Sequence, residues 1–355
     1  MSAPLPLLNS DWTPLLDQLR AAAPQLATVD DWPTEQFQRL GEAGVLRWDI
    51  PDEFGGVDAA SAQILAGYID LAAACLVTTF VLTQRNAATS RIVASENEEL
   101  RSMLLPPLAA GEAFATVGIS HLTTSRQHLT RPAVAVKHDG GDFVLSGEIP
   151  WVTGGMHADY IVTGGVTESG QQVLLAVPRE TAGVECRAPV ELMSLSASGT
   201  GSIGLDGVRV PAKLVVAGPV ERVMQGKSGG GTGSLGTSAL AVGLTQRAVE
   251  LIGGEAERRP DLEPIHETLS TDLANLRRDL LASAATAEPE GDDCSPESIR
   301  RRANSLVLRA TQAALAASKG AGFVSGHPAE RAVREAMFFL VWSCPAPVVA
   351  AALKE

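Results

Sequence analysis

The period of the hydrophobic pattern changes twice along this 355-residue chain, and this change limits the fold more than any single motif. Apolar residues recur at helical spacing to about residue 112, then alternate with a period of two to about residue 218. Helical spacing returns in the last third of the chain. We therefore predict an α+β protein of three domains, not an α/β sheet of parallel strands: a helical domain (residues 1–113), a β-domain (residues 114–218) and a second helical domain (residues 219–355).

The composition of the chain narrows the classes of function. A hydrophobic content of 45% is ample for a large core. A formal net charge of −13 argues against binding to nucleic acid or to an anionic membrane surface. No apolar run is long enough to cross a bilayer, and the first ten residues lack the basic start and apolar stretch of a signal peptide. We therefore expect a cytoplasmic protein with neither a membrane span nor a nucleic-acid partner.

The cysteines are scattered, without the paired spacing that indicates a metal site or a disulfide framework. They are Cys75, Cys186, Cys294 and Cys344. We interpret them as ordinary thiols in a reducing compartment and predict no metal ion. Cys344 is interpreted as a core residue, because nothing in its sequence surroundings indicates the lowered thiol pKa that a nucleophile needs.

Residues 142–164 form the most informative stretch, where glycines and a proline separate predicted strands. The first strand covers residues 143–145, and residues 151–153 and 160–163 carry the chain back. Trp151 and Thr153 are two residues apart, so their side chains are expected on one face of a strand. An aromatic plane beside a hydroxyl suits a flat heterocycle with hydrogen-bonding edges. The alternative is a core tryptophan beside a surface threonine, and the stretch taken alone favours that alternative.

A series of motifs resembles the acyl-CoA dehydrogenase family in content and in order. They are the segment Trp151-Val152-Thr153 with the following Ala-Asp-Tyr-Ile-Val, the loop at residues 51–56, the stretch at residues 104–112 and the strand that closes the β-domain at residues 196–211. In that family the segment equivalent to residues 151–153 lies against the flavin ring of FAD. The resemblance covers nearly the whole chain, and it implies a β-barrel-like central domain, a C-terminal four-helix bundle and bound FAD.

The resemblance implies a second flavin loop at residues 118–125. The contacts it implies are Gly118, Ile119, Ser120 and Ser125, of which only Ser125 keeps the residue type of the family motif. Such a loop binds the flavin edge and pyrophosphate largely through backbone N–H groups, which survive changes of side chain. His121, in the same loop, is either a polar group near the flavin or, as is more common, a solvated loop residue.

Arg259 lies where the family has an arginine that reaches the FAD pyrophosphate of a neighbouring subunit. A guanidinium suits phosphate oxygens, but an arginine at a helix end also complements the helix dipole, and both interpretations stay open. The family's Phe-Gly after this arginine is absent, as is its Gln before a Gly pair in the third helix of the bundle. Because the C-terminal helices are rich in Ala, Leu and Val, and relatives form tetramers, we expect a homo- or hetero-tetramer.

No carboxylate occupies either position at which the resemblance would place a catalytic base. Removing a proton α to a thioester needs a carboxylate over the substrate, but the two positions hold Ser343 and Gly233. A serine hydroxyl without a partner base cannot do this at neutral pH. Glu335 is the nearest other carboxylate and is expected to pair with an arginine, just as Glu330 and Arg334 are spaced for an i,i+4 ion pair. The catalytic residues therefore remain unassigned.

Three functions stay open at this point. The first is an FAD-dependent oxidoreductase that acts on the CH–CH group of an acyl-CoA thioester, with an electron-transferring flavoprotein as its redox partner. The second is a flavin-dependent monooxygenase of the same fold, using reduced flavin and oxygen. The third is a catalytically degenerate subunit that supports an active paralogue in a mixed tetramer.

Overall fold

The computed structural model describes residues 12–123, 131–226, 235–286 and 292–342. The chain forms helices, then a β-domain, then helices, so the predicted α+β class is confirmed. The main N-terminal helices are α1 (Thr13–Ala22), α2 (Thr34–Glu42), α3 (Ser61–Ala74), α4 (Leu76–Val93) and α5 (Glu98–Ala110). Helix α5 is capped at both ends, because the Asn97 side chain accepts the Leu100 N–H at 3.1 Å and Gly111 takes the left-handed conformation.

The apolar pattern of residues 59–84 predicts one long helix, which is wrong, because Cys75 separates α3 from α4. Its backbone is extended, with φ −152° and ψ 103°. The Cys75 N–H still donates to the Leu71 carbonyl at 2.8 Å, as the last bond of α3. The Cys75 carbonyl accepts the Thr79 hydroxyl at 2.8 Å and the Thr79 N–H at 3.2 Å, which begins α4. The chain therefore changes direction here while the Cys75 N–H and carbonyl keep their hydrogen bonds.

The described part of the β-domain has eight strands in one mixed sheet. They are β1 (Ala115–Gly118), β2 (Val134–Asp139), β3 (Asp142–Val152), β4 (Tyr160–Thr167), β5 (Gln172–Pro178), β6 (Val184–Cys186), β7 (Gly201–Val210) and β8 (Val215–Val220). A short helix, α6 (Ser120–Thr123), follows β1. The strand order is β6-β7-β3-β2-β4-β5-β8, with β1 also beside β4. Strands β1 and β2 run parallel to β4, and the remaining pairs are antiparallel.

Strand β3 is continuous over 11 residues, where the sequence predicted a break near Gly147. Gly147 does not end the strand, because its φ of 138° is a conformation open to glycine and the residue stays paired with Leu205. The register shift between Leu145 and Gly147 is a bulge of β7, which places Asp206 and Gly207 opposite Ser146. A Cβ at Gly147 would lie 2.1 Å from the Ala133 carbonyl oxygen. A second shift, between Ile149 and Val152, leaves two residues of β3 opposite one of β7. Trp151 is one of these two.

The C-terminal helices pack on the N-terminal ones. They are α7 (Leu235–Ala256), α8 (Glu263–Ala285), α9 (Pro296–Gly322), α10 (Pro328–Ala336) and α11 (Phe338–Val341), with Met337 between the last two. Helices α1, α3 and α4 share one apolar core with α7, α8, α9 and α10, while the β-domain has a second core. None of the helices within the described ranges is both long and apolar enough to cross a membrane.

Candidate functional site

Trp151 lies at the bulge of β3, and its indole is open to solvent. All five tryptophans fall in the described ranges, and Trp151 alone is exposed, at 44%. The other four each contact another aromatic ring: they are Trp12, Trp32, Trp48 and Trp342. A bulge next to a strand end can redirect a side chain out of the ladder. The exposed indole is thus a surface on which a flat ring could stack.

Thr153 begins a turn directly after β3 and is only 2% exposed, so it differs in exposure from Trp151. Its hydroxyl lies 2.9 Å from the Thr200 hydroxyl, which in turn lies 2.8 Å from the Ser198 hydroxyl. The Thr153 carbonyl accepts the Thr116 hydroxyl at 2.7 Å. A threonine hydroxyl can donate once and accept twice, so Thr153 keeps capacity for a further hydrogen bond.

The sequence did not predict this chain of hydroxyls. Thr153 and Thr200 are 47 positions apart, and small polar residues in loops carry no periodic signal. Ser198 and Thr200 are fully or almost fully buried, at 0% and 2% exposure. Only the pairing of β3 with β7 brings them to Thr153, since Val152 lies opposite Gly201. Together the three side chains form a buried polar layer that ends at Thr153, two residues from Trp151.

The last residue of β1 and the segment that follows it lie near the same end of β3. A Cβ at Gly118 would come within 2.8 Å of Ile149 and 2.9 Å of Val152, so only glycine fits this approach. Ile119 is half-buried against the β-domain core. The Ser120 hydroxyl is buried and has no hydrogen-bond partner among the residues the structure describes. The structure thus brings Gly118 close to Val152, whereas Ser125 lies outside the described residues.

His121 is buried, at 7% exposure, so the expectation of a solvated loop residue is wrong. Its Nε2 lies 2.9 Å from the Gly164 carbonyl oxygen and must donate to it, since a carbonyl only accepts. The bond ties α6 to β4, which are 43 positions apart in sequence. His121 therefore fixes the segment after β1 on the sheet.

Arg259 makes a contact that neither of its two interpretations predicted. Its Nη1 donates to the Ala317 carbonyl at 2.9 Å, which ties the end of α7 to α9. The contact lies two residues before Lys319, where α9 departs from helical geometry with φ 51°. The Arg259 Nε is buried without a hydrogen-bond partner in the described part of the chain. A buried N–H of this kind is usually satisfied by an acceptor.

Both positions expected to hold a base, Ser343 and Gly233, fall outside the described residues, as does Cys344. The expected pairing of Glu335 is confirmed, because its Oε1 accepts from Arg331 Nε at 2.7 Å and the residue is 6% exposed. The pair of Glu330 and Arg334 is confirmed as well. Hydrogen bonds from the Arg334 guanidinium lower the pKa of the Glu330 carboxyl.

The structure also describes three of the four cysteines. Cys75 and Cys186 are free thiols, and burial raises the pKa of both. Cys294 is also free. Across the described ranges, no three His, Cys, Asp or Glu side chains are grouped so that they could hold a metal ion.

Comparison of the sequence with known proteins finds related chains. Residues 16–112 match the acyl-CoA dehydrogenase N-terminal domain. YngJ of Bacillus subtilis (strain 168), a probable acyl-CoA dehydrogenase, is 25% identical over 334 residues, which cover 88% of this chain and 88% of that protein. The family model matches the N-terminal helical region and the likeness to YngJ extends along most of the chain, so these findings support an acyl-CoA dehydrogenase-like chain.

Two solved structures share the fold along almost the whole chain. A glutaryl-CoA dehydrogenase of Mycobacterium smegmatis in complex with FADH2 has a TM-score of 0.76 at 20% identity, covering 99% of this chain and 98% of that one. KijD3 in complex with FMN and dTDP-3-amino-2,3,6-trideoxy-4-keto-3-methyl-D-glucose has a TM-score of 0.77 at 20% identity, covering 98% and 91%. At this level of identity the two likenesses establish the fold alone.

Proposed function

We propose that the chain is a flavoprotein oxidoreductase that binds FAD and acts on the CH–CH group of an acyl-CoA thioester. The exposed Trp151 at the bulge of β3 carries this proposal, because an indole plane open to solvent sits beside buried hydroxyls and a tight glycine approach. The match to the acyl-CoA dehydrogenase N-terminal domain, the likeness to a probable acyl-CoA dehydrogenase and the FADH2 complex of a structural neighbour support the choice of cofactor.

The residues of the β-domain fit a flavin. Trp151 would support the face of the ring, and the hydroxyls of Thr153 and Ser120 would bond its edge. The Ser120 hydroxyl, buried without a partner in the described part of the chain, is the kind of group that a ligand would satisfy. Backbone N–H groups of residues 118–120 would add donors, and the buried Val152 would hold Trp151 and Thr153 on the β-domain core. The resemblance implies a further contact from Ser125, which lies outside the described residues. When bound, FAD supplies the acceptor for the hydride that leaves the substrate.

Arg259 would bind the pyrophosphate of FAD in a neighbouring subunit through its free Nε–H, while its Nη1 holds Ala317. This assignment requires an oligomer, and we propose a tetramer, homo- or heteromeric. Light scattering on the purified protein at micromolar concentration tests it, and a monomer would exclude a pyrophosphate contact across subunits. For the proposed dehydrogenase activity, the redox partner would be an electron-transferring flavoprotein.

The residue at position 343 favours a second candidate, a flavin-dependent monooxygenase. A serine there provides no carboxylate to remove the substrate α-proton, and general base catalysis usually contributes about two to four orders of magnitude in rate. Flavin chemistry with oxygen does not need that base. The likeness to KijD3, solved with FMN and a nucleotide sugar, is compatible with this alternative.

An absorbance spectrum of the purified protein, followed by anaerobic titration, separates these functions. A flavin spectrum that bleaches as acyl-CoA thioesters of several chain lengths are added supports the dehydrogenase. Flavin that does not bleach, but whose chemically reduced form consumes oxygen faster with substrate present, supports the monooxygenase. A colourless protein that refuses added FAD would overturn both functions and leave the degenerate subunit.

A further inference from the structure

Trp32, two residues before α2, lies against the turn that follows β3 and is itself only partly exposed. A Cβ at Gly154 would come within 2.5 Å of the indole Cη2, and a Cβ at Gly199 within 3.3 Å of the indole Cε3. Both glycines take the left-handed conformation, with φ 66° and 59°. The indole therefore rests directly on the backbone at these two positions, where a larger residue would crowd it.

The two glycines adjoin the residues of the buried polar layer. Gly154 directly follows Thr153. Gly199 lies between Ser198 and Thr200. The Gly154 N–H donates to the Ser198 carbonyl at 3.0 Å and to the Gly199 carbonyl at 3.2 Å, so the two backbone segments are joined where the indole contacts them. A ring that holds both segments also holds the three hydroxyls, because each hydroxyl belongs to a residue next to one of the glycines.

Three other rings fix the position of the Trp32 indole. His157, in the same turn after β3, stacks on it with ring centroids 4.1 Å apart and planes 10° apart. Phe114, directly before β1, meets it edge-on with ring centroids 5.7 Å apart. Phe37 of α2 lies almost parallel to it at 6.2 Å and meets Phe114 edge-on at 5.4 Å. Such pairs stabilise one another beyond the burial of their area, so the indole is held by both the N-terminal helices and the β-domain.

We propose that Trp32 is a positioning residue, which holds the turn after Thr153 against the segment Ser198–Thr200 and so keeps the Thr153 hydroxyl in place. This inference rests on the proposed function, because the flavin edge is the group that this hydroxyl would bond. Trp32 acts through the backbone of the two glycines and does not contact flavin in this role. The shape of a site in the β-domain therefore depends on a side chain of the N-terminal helical region.

Hydrogen exchange at the Gly154 amide, measured on the full chain without flavin, tests whether Trp32 holds the turn. In Trp32→Ala this amide should exchange about tenfold faster relative to the Leu145 amide in the middle of β3, because several aromatic contacts are lost together. Trp32→Phe keeps a ring and should retain most of the protection. His157→Ala removes one stacked ring at an exposed position and should quicken exchange by a smaller factor, about threefold.

Trp12→Ala is the matched control for this measurement. Trp12 is also partly buried, but it packs on the core of the helices, where its ring stacks on Trp48 with centroids 5.3 Å apart. Its loss should lower general stability and leave the ratio of the Gly154 and Leu145 exchange rates unchanged. Equal ratios in Trp32→Ala and Trp12→Ala would overturn the inference.

A double-mutant cycle on FAD affinity tests whether Trp32 acts through Thr153. Trp32→Ala should weaken FAD binding about tenfold in the wild-type background, but no more than about twofold in a Thr153→Val background, where no hydroxyl remains to be misplaced. Trp12→Ala should leave the affinity unchanged in both backgrounds. Equal losses in the two backgrounds would overturn the positioning role. If the wild type binds no flavin, the proposed function fails, whereas exchange at the Gly154 amide still decides whether Trp32 holds the turn.

Discussion

Trp151 is the residue on which the flavin proposal depends most directly. Replacing it with alanine removes the exposed ring and should weaken FAD binding by about 1 kcal/mol, or about fivefold in Kd, with a shift of the visible absorbance bands. Ile265→Ala is a suitable control, because Ile265 has a similar exposure of 46% but lies in α8. Fluorescence titration of the apoprotein with FAD measures both, and equal affinity in the two variants would remove Trp151 from the site.

Protonation of a single residue, Asp49, should make the stability of the fold depend on pH. It is buried with Arg85, whose Nη1 lies 3.8 Å from Asp49 Oδ1, and burial raises its pKa from 3.8 to about 6. Because the folded state holds this proton more tightly than the unfolded state, folding is favoured as pH falls from about 6 to about 4. Above about pH 6 the unfavourable burial of the ionised carboxylate is fully present.

Asp49→Asn should therefore remove part of this pH dependence. The difference in unfolding free energy between wild type and variant should change by about 2 kcal/mol between pH 7 and pH 4, with the wild type gaining relative to the variant at the lower pH. Urea titrations at several pH values measure it. Asp52→Asn, at an exposed position, should show no such trend. A difference that stays constant with pH would mean that Asp49 does not titrate in this range.

Single residues also show what the sequence could and could not reveal. Trp151 was predicted as a site residue because its motif is local, and motifs survive without knowledge of the fold. The hydroxyls around Thr153 were missed, because Thr200 and Thr116 meet it, and Ser198 meets Thr200, only once the strands have paired over long sequence separations. The burial of His121 was missed for the same reason, since its acceptor Gly164 lies on another strand.

At the scale of single elements, β3 shows how local irregularity builds the site. Periodicity located the strand, but the glycine at 147 predicted a break, whereas the residue lies within a continuous strand. Propensity cannot separate these outcomes, because glycine is disfavoured inside strands yet occurs there where another backbone approaches closely. Cys75 is the opposite case: no glycine or proline marks the break between α3 and α4, so the pattern indicated one helix.

Gly147→Ala tests whether position 147 of β3 requires glycine. The new Cβ would lie 2.1 Å from the Ala133 carbonyl, so β2 and β3 must separate, and we expect a loss of about 3 kcal/mol or more with weakened FAD binding. Gly170→Ala is the matched control, because its φ is also positive, at 81°, but nothing lies within 4 Å of its Cβ. That change should cost about 1 kcal/mol from backbone strain alone. Similar losses of unfolding free energy in the two variants would show that position 147 requires glycine because of its backbone conformation, and not because of the close approach of Ala133.

For the whole molecule, the shared core of the N-terminal and C-terminal helices is the main constraint. Helical spacing predicted both sets of helices, but their common core depends on which faces meet, and a single sequence does not specify that. Gly243 lies where helix α7 packs tightly against α3, since a Cβ there would lie 2.4 Å from the Ile69 carbonyl oxygen and 2.6 Å from the Ala72 Cβ of α3. The two helical regions should therefore unfold together.

Gly243→Ala should force α3 and α7 apart and lower the unfolding free energy by about 3 kcal/mol, although alanine is the better helix former. Gly254→Ala, in the same helix with nothing within 4 Å of its Cβ, should instead raise stability by about 0.5 to 1 kcal/mol. Because the core is shared, hydrogen exchange should quicken in α3, α7 and α9 together in the Gly243 variant. Faster exchange confined to α7 would show that the N-terminal and C-terminal helices keep separate stabilities, even though their apolar residues form one contiguous core.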